Sequence, residues 1–213
     1  MNKARIAGLL KMPVYWTSVL FTWGMFFLYP LYIKHGYIGI DKTKNTFLWD
    51  LLVVFFVLSV LGMLVQAVAH MIPSQARSKL SKADIGVGIY VFSVLASTLL
   101  SIDKDTAFWG QNGWFMGAGL IGMMCYAYFV ISRFWLGDRV WIPGLLLSSG
   151  CVFLLGVLNR FSIWPILMSG SYANGFLSTL GNIGWYSGFI AVISPVGIGL
   201  YIINEKGKWY EQV

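Results

Sequence analysis

Residues 47–72 read FLWDLLVVFFVLSVLGMLVQAVAHMI, and the fold turns on how that stretch is read. Asp50 is the one acidic side chain in a predominantly apolar run, broken otherwise by Ser59, Gln66 and His70, that stops at Pro73. A helix crosses the hydrocarbon core of a bilayer with about 20 consecutive apolar residues. Lipid offers the backbone no water, so only helices and closed barrels can span it. A barrel strand would alternate apolar and polar positions over a short segment. This run does not alternate, so it is read as a membrane-spanning helix.

Working outward, five further apolar stretches have the same character: 13–33, 85–102, 113–135, 141–158 and 183–203. Of the 213 residues 58% are hydrophobic and only 11% are charged. Soluble domains carry about 25% charged residues. So little polar material could not cover a water-exposed surface. The expected fold is an all-α, polytopic transmembrane helical bundle of about six spans, one membrane domain over residues 1–213. Lys3, Arg5 and Lys11 precede the first span as they would a signal peptide. The apolar run after them is too long for one and lacks a small-residue cleavage site.

The charges give an orientation. With the amino terminus cytoplasmic, the inner segments carry Lys3, Arg5, Lys11, Arg77, Lys79, Lys82, Arg133, Arg139, Lys206 and Lys208. The outer segments carry Lys34, Lys42, Lys44, Lys104 and Arg160. Ten of the 15 basic residues thus fall inside, as basic residues of membrane proteins tend to. Both termini are expected in the cytoplasm, and the net charge of +7 reads as contact with membrane lipid, not nucleic acid. Trp16, Trp49, Trp109, Trp114, Trp135, Trp141, Trp164 and Trp185 lie near span ends, where indoles favour the headgroup layer. The expected location is a bacterial plasma membrane.

Soluble-enzyme signatures are missing: there is no GxSxG, phosphate-binding loop, HExxH or zinc-spaced Cys/His cluster. No metal or cofactor is expected. Cys125 and Cys151 sit in apolar stretches as small helix residues, and His35 and His70 read as interfacial polar groups. No buried carboxylate is expected within the spans; Asp50, near a span end, comes closest. That argues against an ion-coupled transporter.

Polar signal gathers at three places expected outside. The loop 101–117 holds Gln111 and Asn112, with Trp109 and Trp114 as flat faces for a sugar. Arg160 opens the loop 159–182, where a guanidinium could hold a diphosphate through paired hydrogen bonds. Asn182 stands at the entry to the last span, where free helix amides receive anions. Each place also has a plainer reading: an aromatic anchor and turn, a solvated arginine, and a helix cap at Ser178 or Asn182.

Two of these stretches resemble a known family. Phe108-Trp-Gly-Gln-Asn-Gly-Trp-Phe-Met-Gly117 is similar to an outer-loop pattern of O-antigen ligase and polymerase-like membrane proteins. Phe176-Leu-Ser-Thr-Leu-Gly-Asn-Ile-Gly-Trp-Tyr-Ser-Gly188 resembles that family's Thr-hydrophobic-Gly-Asn-x-Asn run opening a helix. Gly184 stands where the second asparagine is expected, and Trp114 where many members carry arginine. The resemblance covers the amino-terminal half of such proteins. It implies a partner in a polyprenyl-diphosphate-linked glycan, with Trp109, Gln111, Asn112, Trp114, Arg160 and Asn182 as candidate binding residues. It also implies that catalysis needs a large outer loop beyond these helices, so the chain is expected not to be catalytic alone: a truncated fragment, a split subunit completed by a second membrane subunit, or a short descendant would each fit. Alternatives from other classes are a small transporter or permease subunit and a non-catalytic membrane scaffold.

Overall fold

A computed structural model describes residues 13–34, 36–68, 80–111, 115–134, 141–163 and 175–203. Their regular structure is all helical, with no strand among the described residues. The elements in order are α1 (Pro13–Trp23), a π-helical turn (Gly24–Leu28), α2 (Tyr29–Leu31), α3 (Ile40–Val68), α4 (Lys82–Leu100), α5 (Lys104–Trp109), α6 (Ala118–Phe134), α7 (Trp141–Arg160), a 3-10 turn (Ser178–Leu180) and α8 (Ile183–Ile203).

Four of these are long and apolar enough to cross a bilayer: Ile40–Val68, Lys82–Leu100, Trp141–Arg160 and Ile183–Leu200. Ala118–Phe134 is apolar but shorter, at 17 residues. The chain is therefore built as a helical membrane protein. α1, the π turn and α2 join into one helical run through Leu31, over the stretch expected as the first span, but that run is not among the four helices long and apolar enough to cross.

Several boundaries differ from the hydropathy reading. α3 begins at Ile40, not Phe47, because Gly39 with φ +62 turns the chain directly into the helix. Lys42 and Lys44 are therefore helical residues and not loop residues. α4 starts at Lys82 because Ser81 and Asp84 form a capping box, which satisfies amides at the helix entry. α6 starts at Ala118, after the 101–117 loop has formed the short helix α5. α7 runs past Leu158 to Arg160, so Asn159 and Arg160 belong to its last turn.

The described chain groups into two compact units, one drawn from Met1–Phe21 and Leu48–Asp138, the other from Thr22–Phe47 and Arg139–Val213. In the first, Val14, Phe21, Leu52, Phe55, Leu120 and Val130 are buried together as core. The Phe21 and Phe55 rings lie 4.3 Å apart. At Gly62 an added Cβ would sit 2.9 Å from the Val14 side chain, so glycine is what lets α1 and α3 approach. Ser59 and Tyr126 share a hydrogen bond of 2.7 Å across the core.

In the second unit, proline chemistry shapes the first helical run. Pro30 has no N–H to offer the Phe26 carbonyl. Ser148 Oγ donates to that carbonyl at 2.6 Å instead. Trp23 lies over Gly144, and Gly156 lies against the Tyr186 ring, where a Cβ would approach within 2.5 Å.

α4 and α8 bury only 6% of their most apolar windows, against 28% for α3 and 33% for α7. Phe92, Leu99, Val192 and Ile198 are accordingly exposed, as they are on helices that face lipid. α8 also carries Pro195 in its interior, and Ser194 Oγ donates to the Ile190 carbonyl at 2.7 Å.

Candidate functional site

Polar side chains concentrate in one corner of each unit. In the first unit the corner is Asp84, whose residue is only 3% exposed. Its carboxylate accepts the Ser81 amide at 2.8 Å and the Tyr128 hydroxyl at 2.9 Å. Arg133 approaches it at 3.7 Å. The Arg133 guanidinium also stacks over Phe129 and donates to the Phe129 carbonyl at 3.3 Å and Ser132 Oγ at 3.1 Å. The buried carboxylate stands at the entry of α4, one residue before the expected span 85–102, within which none was expected. Its place in the capping box with Ser81 draws it under the helix entry.

The second corner is a knot around Pro30, Asn159 and Ser178. The Lys44 ammonium is buried and donates to the carbonyls of Tyr29 at 2.7 Å and Pro30 at 2.9 Å. It also lies 5.3 Å from the centre of the Tyr29 ring. Thr179 Oγ1 donates to the Pro30 carbonyl at 2.7 Å. A cation and a hydroxyl thus satisfy carbonyls at the end of a helix, where the dipole is negative. Asn159 Oδ1 accepts from the Tyr37 hydroxyl at 3.2 Å and from the Ser178 amide at 2.8 Å. Ser178, fully buried, donates its hydroxyl to the Val152 carbonyl at 2.7 Å, while its own carbonyl accepts the Tyr37 hydroxyl at 2.8 Å. Burial raises the pKa of the Tyr37 phenol above its ordinary value, so the neutral donor form is held.

Ser178 adopts φ +49, a left-handed conformation unusual for a residue with a side chain. The hydrogen bonds to its amide, hydroxyl and carbonyl fix it there. Gly181 follows with φ +77 against Ile40, where a Cβ would come within 2.7 Å. α7 ends in a Schellman arrangement: Ile163 N bonds the Leu158 carbonyl at 3.1 Å and Ser162 N bonds the Asn159 carbonyl at 3.2 Å. Ser162, with φ +53, takes the position usually given to glycine.

The expected binding residues divide between the units. Trp109 and Gln111 belong to the first. Trp109 is 55% exposed at the end of α5 and faces Trp49 at 5.8 Å. Gly110, with φ +89, lies against the backbone of Phe115 and Met116, and Gly117 against that of Phe108 and Gly110, so these two glycines form a close return. Gln111 is exposed. Asn112 and Trp114 lie outside the described residues, as do His35 and His70. Arg160 and Asn182 belong to the second unit, both exposed. Asn182 Oδ1 accepts the Gly184 amide at 2.7 Å, so its side chain caps α8, as its plainer reading held.

Lys44, Asn159, Ser178 and Thr179 were not among the expected site residues. Ser178 and Thr179 did lie in the quoted helix-opening run, and their burial shows that its polarity serves internal hydrogen bonds first. Cys125 and Cys151 are free thiols. Among the described residues no group of three His, Cys, Asp or Glu side chains could hold a metal ion. Comparison with protein-family models, curated proteins and solved structures finds no match.

Proposed function

We infer that the chain is a six-span membrane protein, with both termini cytoplasmic, that contributes the wall of a site for polyprenyl-diphosphate-linked glycans in bacterial cell-surface polysaccharide assembly. Two patterns of contact support the topology. In the first unit, Asp84 at the start of α4 meets Tyr128 and Arg133 near the end of α6, and Trp49 meets Trp109. In the second, the Tyr37 turn meets Asn159 and Ser178. In every case residues assigned to one side of the membrane by the positive-inside rule meet residues assigned to the same side.

One observation carries the glycan-lipid reading: residues 176–188, the run that resembles O-antigen ligase and polymerase-like proteins, fold as a designed entry to α8. A buried 3-10 turn, a left-handed glycine and an asparagine cap follow one another without a gap. The same unit places Arg160 at the exposed end of α7. A guanidinium there neutralises a diphosphate bidentately, and aromatic rings such as Trp109 offer stacking faces to a sugar. Transfer of the glycan calls for further groups than these, so the reading assigns the chain binding and positioning, with a second membrane subunit or domain supplying the rest.

Two experiments test it. In nanodiscs, a photoreactive polyprenyl diphosphate should label the protein well above a polyprenyl monophosphate, and Arg160→Ala should weaken labelling about tenfold, the loss of a charge-assisted contact. Equal labelling by both probes rejects the diphosphate reading. For topology, a membrane-impermeant maleimide on intact cells should modify Ser162→Cys and spare Lys82→Cys; the reverse pattern rejects the orientation.

A further inference from the structure

We propose that Asn159 is a positioning residue that sets the direction in which Arg160 is presented at the end of α7. The proposal rests on the reading of Arg160 as the diphosphate-facing cation, and it concerns how that cation is held. Asn159 is 2% exposed while its neighbour Arg160 is exposed. Both oxygens of Asn159 are engaged. The side-chain oxygen receives the Tyr37 hydroxyl and the Ser178 amide, and the backbone oxygen receives the Ser162 amide in the Schellman turn.

The geometry makes this last turn unusually constrained. A helix end ordinarily frays, and a non-glycine residue at its left-handed position adds strain. Here the turn carries Ser162 at φ +53, and the segment it is tied to carries Ser178 at φ +49. Asn159 bridges the two strained places, its side chain accepting the Ser178 amide and its backbone carbonyl the Ser162 amide of the Schellman turn. Because residues 159 and 160 share that turn, fixing Asn159 fixes the Cα–Cβ direction of Arg160. An acceptor with two lone pairs is required at this position, and a carboxylate supplies it as well as a carboxamide does. An aliphatic residue of similar size supplies none: it leaves the Ser178 amide without its acceptor and removes the Asn159 tie of the Tyr37 hydroxyl, which still reaches the Ser178 carbonyl.

The test uses the full chain in phosphatidylglycerol nanodiscs, with Cys125→Ala and Cys151→Ala as background. Arg160→Cys then reports the presentation of position 160 through its rate of maleimide labelling. Adding Asn159→Leu should change that rate several-fold, and adding Asn159→Asp should restore it. Should Asn159→Leu fail to fold, Tyr37→Phe removes one of the two donors and should shift the rate in the same direction. With Arg160 in place, Asn159→Leu should also weaken polyprenyl diphosphate capture about tenfold, and Asn159→Asp should restore it. A labelling rate at Arg160→Cys indifferent to Asn159→Leu and Tyr37→Phe overturns the proposal. Loss of capture in Arg160→Ala but not in Asn159→Leu also overturns it. If Arg160→Ala leaves capture untouched, the diphosphate reading fails instead, and the labelling rates alone decide on positioning.

Discussion

The two polar corners solve the same problem with opposite chemistry. At Asp84 a buried anion is matched by a guanidinium, a phenol and a backbone amide. At Lys44 a buried cation is matched by neutral carbonyls and an aromatic face. The first is an ion pair with one partly exposed member, since the Arg133 side chain keeps 25% of its surface. The second is a cap on a helix end. A buried pair recovers its desolvation only where the geometry is complete, whereas a helix terminus presents free carbonyls to any donor. The difference teaches that buried charge in this chain serves the joining of helix ends, and that its partner can be backbone as readily as an opposite charge.

The largest effect is expected where most partners are lost together. Asp84→Ala removes the capping box and the carboxylate that accepts the Tyr128 hydroxyl. A lost cap costs about 1 kcal/mol, and a lost hydrogen bond to a charged group costs about 1.5–3 kcal/mol. A destabilisation of about 2–4 kcal/mol should appear in detergent unfolding of the full chain. Asp84→Asn keeps an acceptor for both neutral donors and should lose clearly less. If the two variants are equally damaged, the ion pair with Arg133 carries the corner, and the comparison with Lys44 sharpens in favour of charge.

Lys44→Met should cost less, about 1–2 kcal/mol. It removes hydrogen bonds to a charged donor, worth about 1.5–3 kcal/mol, but also removes the desolvation of a buried ammonium. The Pro30 carbonyl keeps the Thr179 hydroxyl, and only the Tyr29 carbonyl loses its side-chain donor. A loss larger than that of Asp84→Ala would break the comparison, because it would show the neutral-acceptor corner to be the stronger of the two.

Hydropathy made the helical membrane class legible, because runs such as Val53–Val57 leave no other state for the backbone in lipid. It placed helix ends poorly, for a physical reason. Lys42 and Lys44 read as loop because a charge implies water, yet an ammonium can stay in a helix when carbonyls receive it. Asp84 was legible in principle from Ser81-Lys-Ala-Asp84, whose spacing is that of a capping box. The knot was not legible: Tyr37, Asn159 and Ser178 are 122 and 141 positions apart along the chain in their hydrogen bonds. Only packing brings them together. The candidate residues fared unevenly for the same reason. Asn182 does what its local spacing allows, while Asn159, one residue from a candidate, was passed over because burial cannot be read from sequence.

The smallest expected effect concerns a third capped helix, α5, which is exposed and lacks the burial of either corner. Asp103 accepts from Thr106 Oγ1 at 2.6 Å and from the Thr106 amide at 3.1 Å. These bonds, the hydroxyl's above all, hold its pKa below the ordinary carboxylate value. Because the folded value is depressed, the stabilisation is present above the unfolded value of about 3.9 and is lost as pH falls through the folded one. Hydrogen exchange at the Thr106 amide should therefore stay protected at neutral pH and lose protection only in that acid range. Asp103→Asn keeps an acceptor without a titrating charge, so its exchange should lose the acid dependence. The Asp84 and Lys44 corners should keep their own amide protection throughout the α5 transition, since neither shares a hydrogen bond with Asp103. A joint loss of protection would mean that the charged corner and the exposed cap melt as one unit, and burial would no longer be what separates them.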